Sequence, residues 1–159
     1  LYVPRMSDDL PVRRRPHHEV RGAIGRPTVV FLTLCTDGRR PLLACESAHL
    51  ALRSAWHQAD AWLVGRYVLM PDHLHLFATP GPTPLPLDRW IAYWKRLAST
   101  TLGRGAWQSD YWDRTLRHDD SYAEKWAYVR ANPLRAGLAR AEDDWPYQGE
   151  LYPIDWHTG

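Results

Sequence analysis

The apolar and polar positions of the chain fall into segments whose periods predict alternating strands and helices. Residues 28–36, TVVFLTLCT, are β-branched and apolar and stop at Asp37-Gly38, which predicts a buried strand ending in a turn. Over 46–59, Ala48, Leu52, Ala55 and Ala59 recur at helical spacing and predict the first helix. The stretch 61–79 divides into AWLVGRYVLM, a turn at Pro71-Asp72, and HLHLFAT; the proline interrupts any helix, and alternation on either side predicts a hairpin. A loop carrying Pro80, Pro82, Pro84 and Pro86 leads into a helix over about 87–101. Gly103 and Gly105 break that helix, and a fourth strand is expected around 111–116. Asp119 or Asp120 is the expected N-cap of a last helix with Glu124 near its first turn, ending near Asn132 because Pro133 disfavours its continuation.

The predicted order is β-α-β-β-α-β-α. Antiparallel strands with helices on one face make an α+β sandwich, ferredoxin-like in its first six elements, with a C-terminal helix carrying Tyr128 added. At 159 residues and 18.4 kDa the chain fits one domain with a core of ordinary size. That domain is placed at 27–147. Residues 1–26, with Pro4, Pro11, Pro16 and Arg13, Arg14 and Arg15 but no apolar periodicity, read as a flexible basic arm. Residues 148–159 are placed as a C-terminal tail, and beyond Gly137-Leu138 the pairs Trp145-Pro146 and Tyr152-Pro153 read as an extended aromatic segment lying on the domain.

A net charge of +2 argues for no particular partner. The make-up of that charge says more: of 20 basic residues only Lys95 and Lys125 are lysines, and the arginine fork suits phosphates and stacks on bases. Nine tryptophans and eight tyrosines supply stacking surfaces for unpaired bases, although core packing is the commoner use of such rings. Cys35 and Cys45 suggest neither a disulfide framework nor a zinc site, and no apolar run has the length of a membrane helix. The expected compartment is the bacterial cytosol, near the nucleoid.

Two small constellations carry chemistry. His73 and His75, two apart on a strand, project to one face as a ready pair of metal ligands, with Leu74 and Leu76 turned the other way. A lone His-x-His also occurs on many strands that bind nothing. Tyr128 and Asn132, four apart, share a helix face one turn from each other, and the amide oxygen can complete a two-histidine site for Mg2+ or Mn2+. Their structural alternatives are a packed helix tyrosine and a helix-ending asparagine. Glu46, Asp72 and His118 read as turn, cap or surface residues.

Three blocks in order are more specific than either constellation. Met70-Pro71-Asp72-His73-Leu74-His75-Leu76 comes first, then Trp107-Gln108 with Tyr111-Trp112-Asp113-Arg114-Thr115-Leu116-Arg117, then Tyr128-Val129-Arg130-Ala131-Asn132-Pro133-Leu134-Arg135-Ala136-Gly137-Leu138. Together they closely resemble the REP-associated tyrosine transposases, a branch of the single-tyrosine HUH transposases, over roughly residues 27–147. The resemblance implies that His73, His75 and Asn132 hold a divalent metal, Mg2+ or Mn2+, and that Tyr128 attacks single-stranded or hairpin DNA to form a 5′-phosphotyrosine. The wider group often has glutamine where Asn132 stands. Arg13, Arg14, Arg15, Arg89, Lys95, Arg96, Arg114 and Arg117 are candidates for the DNA backbone, and Trp107 and Trp112 for bases. A hairpin-binding module that has lost turnover is the alternative, and the choice between monomer and homodimer stays open.

Overall fold

A computed structural model describes residues 28–156. The expected arm, with Arg13, Arg14 and Arg15, lies outside the described residues. The elements are β1 (Val30–Cys35), α1 (Glu46–Gln58), β2 (Trp62–Leu69), β3 (His73–Pro80), α2 (Leu87–Leu102), β4 (Trp112–Thr115), α3 (Tyr122–Arg130), the one-turn α4 (Asn132–Arg135) and β5 (Gln148–Glu150). The strands form one sheet in the order β4-β1-β3-β2-β5, with all pairs antiparallel.

Register distributes the side chains between the two faces. Across the central pair Leu32 lies opposite Leu76, Leu34 opposite Leu74, Thr33 opposite His75 and Cys35 opposite His73. Facing residues share a side of an antiparallel sheet and successive residues alternate, so one face carries the leucines and the other carries Phe31, Thr33, His73, His75 and Phe77. Helices α1 and α2 cover the leucine face: Leu52, Trp56, Trp90, Ile91 and Trp94 join Leu32, Leu34, Leu74 and Leu76 in the main core. On the histidine face a smaller cluster forms where Tyr122, Trp126 and Val129 of α3 meet Val68 and Phe77. The tyrosine helix therefore lies across the sheet from α1 and α2. No helix among the described residues is long and apolar enough to cross a membrane.

Three boundaries differ from the sequence expectation. The N-cap of α3 is Ser121, whose Oγ accepts from the Glu124 amide at 3.2 Å. Asp120 is committed elsewhere, because its carboxylate accepts from the Arg117 amide at 2.7 Å and so closes the turn before the helix. Pro133 does not end the helical path: α3 stops at Arg130 and the chain resumes in α4 with Pro133 in its first turn, where a missing N–H leaves no bond unmade. Finally, the sheet takes in residues 148–150 as β5, paired with β2, although the sequence reading placed the domain's end at 147.

Gly65 controls how α3 seats on the sheet. It lies where the β2–β3 register shifts, between Val64 and Tyr67. The Tyr122 hydroxyl accepts the neighbouring Arg66 amide at 3.0 Å, and burial pushes this phenol's pKa up to about 12, so it stays neutral. A Cβ on Gly65 would stand 2.5 Å from Ile154 Cδ1 and 2.8 Å from the Tyr122 oxygen. Gly65→Ala is therefore expected to destabilise the protein by about 1–3 kcal/mol through overpacking, read as a lower urea midpoint with an unchanged slope.

Candidate functional site

The histidine face of β3 carries two buried imidazoles, and each has a specific partner. His73 and His75 are buried, with ring centroids 5.0 Å apart and planes at 80°. The Nδ1–H of His73 donates to Asp72 Oδ1 at 2.8 Å, since an ionised carboxylate can only accept. Asp72 Oδ2 accepts from Arg39 Nε at 2.9 Å. Burial alone would raise the Asp72 pKa, but the bonds from His73 and Arg39 and their positive charge outweigh it and leave the carboxyl below its ordinary value. Asp72 is itself fixed at its backbone, where its carbonyl accepts from the amide and the hydroxyl of Thr36 at 2.9 and 3.1 Å.

His75 is held from another direction. Its Nδ1 lies 2.8 Å from Thr33 Oγ1, the residue directly opposite on β1. The Phe31 ring stacks on its imidazole at 5.4 Å and 16°. Burial, reinforced by the charges of His73, Arg135 and Arg39, holds the His75 pKa well below its ordinary value. The ring is therefore neutral near pH 7, the form that coordinates metals. With each Nδ1 committed to a fixed partner, the ring nitrogen left for a ligand is Nε2 in both cases. That is the arrangement in which an outer partner sets the tautomer and direction of a metal-binding imidazole.

This donor pair fits a divalent ion but does not complete a site. Among the described residues no group of three or more His, Cys, Asp and Glu side chains is placed to hold a metal. An amide oxygen such as that of Asn132 qualifies chemically as a third donor. Asn132 opens α4, and its Oδ1 accepts from Arg135 Nη2 at 2.6 Å, with the second lone pair of the oxygen still available. Tyr128, on α3, is 67% exposed, which sets it apart from Tyr122, Trp126 and Val129, the residues that bind the same helix to the sheet. An exposed phenol on a well-seated helix can reach a substrate without unfolding anything.

The candidates for DNA divide between the two sides of the sheet. Trp112 pairs across from Thr33 and Arg114 from Phe31, so both sit on the histidine face; Arg114 is exposed, 3.8 Å from Asp120. Arg117 is exposed just beyond β4. Arg89, Lys95 and Arg96 belong to α2, on the opposite side. Lys95 donates to the Gln108 carbonyl at 3.3 Å, and burial lowers its pKa to about 8, so it is not a freely mobile cation. Trp107 packs edge-on against Trp94 at 5.5 Å, also on the α2 side. Arg13, Arg14 and Arg15 lie outside the described residues.

Sequence reasoning passed over two residues of this cluster, Asp72 and Thr33. Asp72 looked like a turn residue because it follows Pro71, and only its burial beside Arg39 distinguishes it. Thr33 gave no signal until the β1–β3 register placed it opposite His75.

No protein-family model matches the chain. It is 26% identical over 101 residues to a REP-associated tyrosine transposase of Escherichia coli (strain K12), a match covering 58% of this chain and 61% of that protein. A Haemophilus influenzae protein named for the same family is 27% identical over 110 residues, covering 55% of this chain and 62% of the relative. The chain thus spans about three fifths of the length of the curated relatives it matches. Its fold is similar to that of a solved REP-associated tyrosine transposase bound to a REP hairpin, with a TM-score of 0.70 at 21% identity over 94% of this chain and 93% of the other.

The orienting bond to His73 is open to test. Asp72→Asn keeps the shape of the side chain and removes its charge, and is expected to weaken Mn2+ binding about 10- to 100-fold in calorimetric titration. Unchanged affinity in a folded variant would mean that Asp72 only closes the turn.

Proposed function

We propose that this chain, which belongs to the REP-associated tyrosine transposase family, nicks and rejoins single-stranded DNA at palindromic hairpins through a 5′-phosphotyrosine intermediate. The observation that carries the reading is the pairing of His73 and His75 on one sheet face. Their outward nitrogens are set by Asp72 and Thr33, and that same face also receives the helix bearing the exposed Tyr128. Two oriented imidazoles and an exposed phenol are what such a reaction asks of the protein.

In the mechanism, His73, His75 and Asn132 would hold a divalent ion, Mg2+ or Mn2+. When bound, the ion supplies Lewis acidity toward a phosphate oxygen. Tyr128 Oη attacks the phosphorus, forming a tyrosyl phosphoester as the bond to the 3′ oxygen breaks; the phenol loses its proton and the departing oxygen gains one, leaving a free 3′-hydroxyl. The phosphoester retains the energy of the broken phosphodiester. A second DNA end with a free 3′-hydroxyl reverses the step and releases Tyr128 without a nucleotide triphosphate. The substrate is unpaired because a nucleophile fixed on a helix has to meet a backbone phosphate free of duplex constraint. Trp112 and Arg114, on the histidine face beside β1, are proposed to meet the strand next to the scissile phosphate, by base stacking and charge respectively.

Incubating the protein and Mn2+ with labelled hairpins drawn from palindromes of the source genome is expected to give a covalent protein–DNA adduct on denaturing gels. Tyr128→Phe should abolish the adduct while hairpin affinity stays within about twofold, since one hydroxyl contributes little to a phosphate-dominated interface. An adduct that survives Tyr128→Phe would overturn the assignment of the nucleophile. Tight hairpin binding with no adduct on any palindrome would favour a binding module without turnover.

A further inference from the structure

A cation packs on the Tyr128 ring. The guanidinium carbon of Arg135 lies 4.3 Å from the ring centroid. Its Nη2 donates to the Tyr128 carbonyl oxygen at 2.8 Å and to Asn132 Oδ1 at 2.6 Å. One side chain therefore touches the ring of the candidate nucleophile, the end of the helix that carries it, and the amide oxygen of the candidate third ligand. The backbone fixes the origin of this reach. Arg135 closes α4, and Gly137, with φ of 70°, turns the chain away immediately afterwards through a bond from the Leu138 amide to the Pro133 carbonyl at 2.8 Å.

The charge of this fork is uncompensated. Arg39, Arg66, Arg114 and Arg130 each lie within ion-pair distance of a carboxylate, whereas among the described residues none pairs with Arg135. A single Nη2 makes both of its hydrogen bonds, so Nε and Nη1 have no partner among the described residues. The side chain is exposed, as is the ring it covers. A planar cation with spare donors, stacked on an exposed phenol and without a carboxylate partner among the described residues, suits a phosphodiester anion.

We infer that Arg135 has two functions: it positions Tyr128 against Asn132, and it binds, through the remainder of its fork, the DNA phosphate that Tyr128 attacks. The ligand class is a phosphodiester of single-stranded DNA, and the inference rests on the activity proposed above. The stack restricts the rotamers open to an exposed ring, and the bond to Oδ1 turns the Asn132 amide so that its second lone pair has a defined direction. Lysine would keep the charge and lose both the stack and the fork.

Two measurements on the full chain test this. In the first, the hairpin affinity of the Tyr128→Phe protein is followed against salt in EDTA, with and without Arg135→Ala. The loss of one phosphate contact is expected to reduce the slope of log affinity against log salt by about 0.7–0.9. An unchanged slope overturns the phosphate contact. In the second, single-turnover adduct formation at saturating DNA is expected to fall about a hundredfold in Arg135→Ala, to stay low in Arg135→Lys, and to recover in part on adding millimolar guanidinium ion, with the melting temperature held. A rate equal to that of the unsubstituted chain overturns the positioning role. So does a loss that guanidinium does not rescue and that tracks a fall in melting temperature, for then Arg135 only caps α3. If the unsubstituted chain binds hairpins without forming an adduct, the proposed catalysis fails while the salt slope still decides the phosphate contact. If it binds no hairpin, both fall.

Discussion

The candidate site depends on the register between β1 and β3. Six consecutive pairs run from Val30 opposite Ala78 to Cys35 opposite His73, and they decide which residues face the tryptophan-rich core and which face α3. A slip by one position would turn His73 and His75 into the layer of Trp56 and Trp94 and bring Leu74 and Leu76 out. Burial of the leucines therefore holds the imidazoles in place more firmly than any bond the imidazoles make themselves. The same register sets Thr33 across from His75, so the hydrogen bond that directs one ring comes from the pairing that places it.

The two histidines are held by different kinds of partner. His73 leans on a charged chain in which Arg39 supports Asp72 and Asp72 supports the ring. His75 leans on a neutral hydroxyl and an aromatic face, in a spot where burial and the nearby charges oppose its protonation. The result is a neutral, rigid ring beside one backed by a carboxylate, two distinct settings two residues apart on one strand.

Much of this was legible in the sequence, and the unread part has physical causes. The period of two in HLHLFAT and the helical recurrence over 46–59 located β3 and α1 because those segments bury one face against a large core, and the proline and glycine punctuation on either side of 87–101 located α2. The histidine pair, the tyrosine and the asparagine were legible as residue types at meaningful spacing. What stayed hidden were partners set by long-range register, such as Thr33, and competition between neighbours, as where Asp120 closes a turn and leaves the N-cap to Ser121. β5 was missed because a three-residue edge strand containing glycine has almost no periodicity of its own. Arg135 was passed over because arginines are common in this chain, and only its stack on Tyr128 distinguishes it from the rest.

The division of the core has a consequence for motion. The histidines are built into the middle of the sheet, where the large cluster holds both neighbouring strands, whereas Tyr128 rides on a nine-residue helix attached through the smaller cluster and the Tyr122 hydroxyl. Segments with fewer buried contacts open at lower free energy than the global unfolding that releases a central strand. The two halves of the candidate site thus belong to different tiers of stability. Opening of helix α3 would leave the histidine platform formed, so the proposed exchange of one DNA end for another would not require the chain to lose its folded frame.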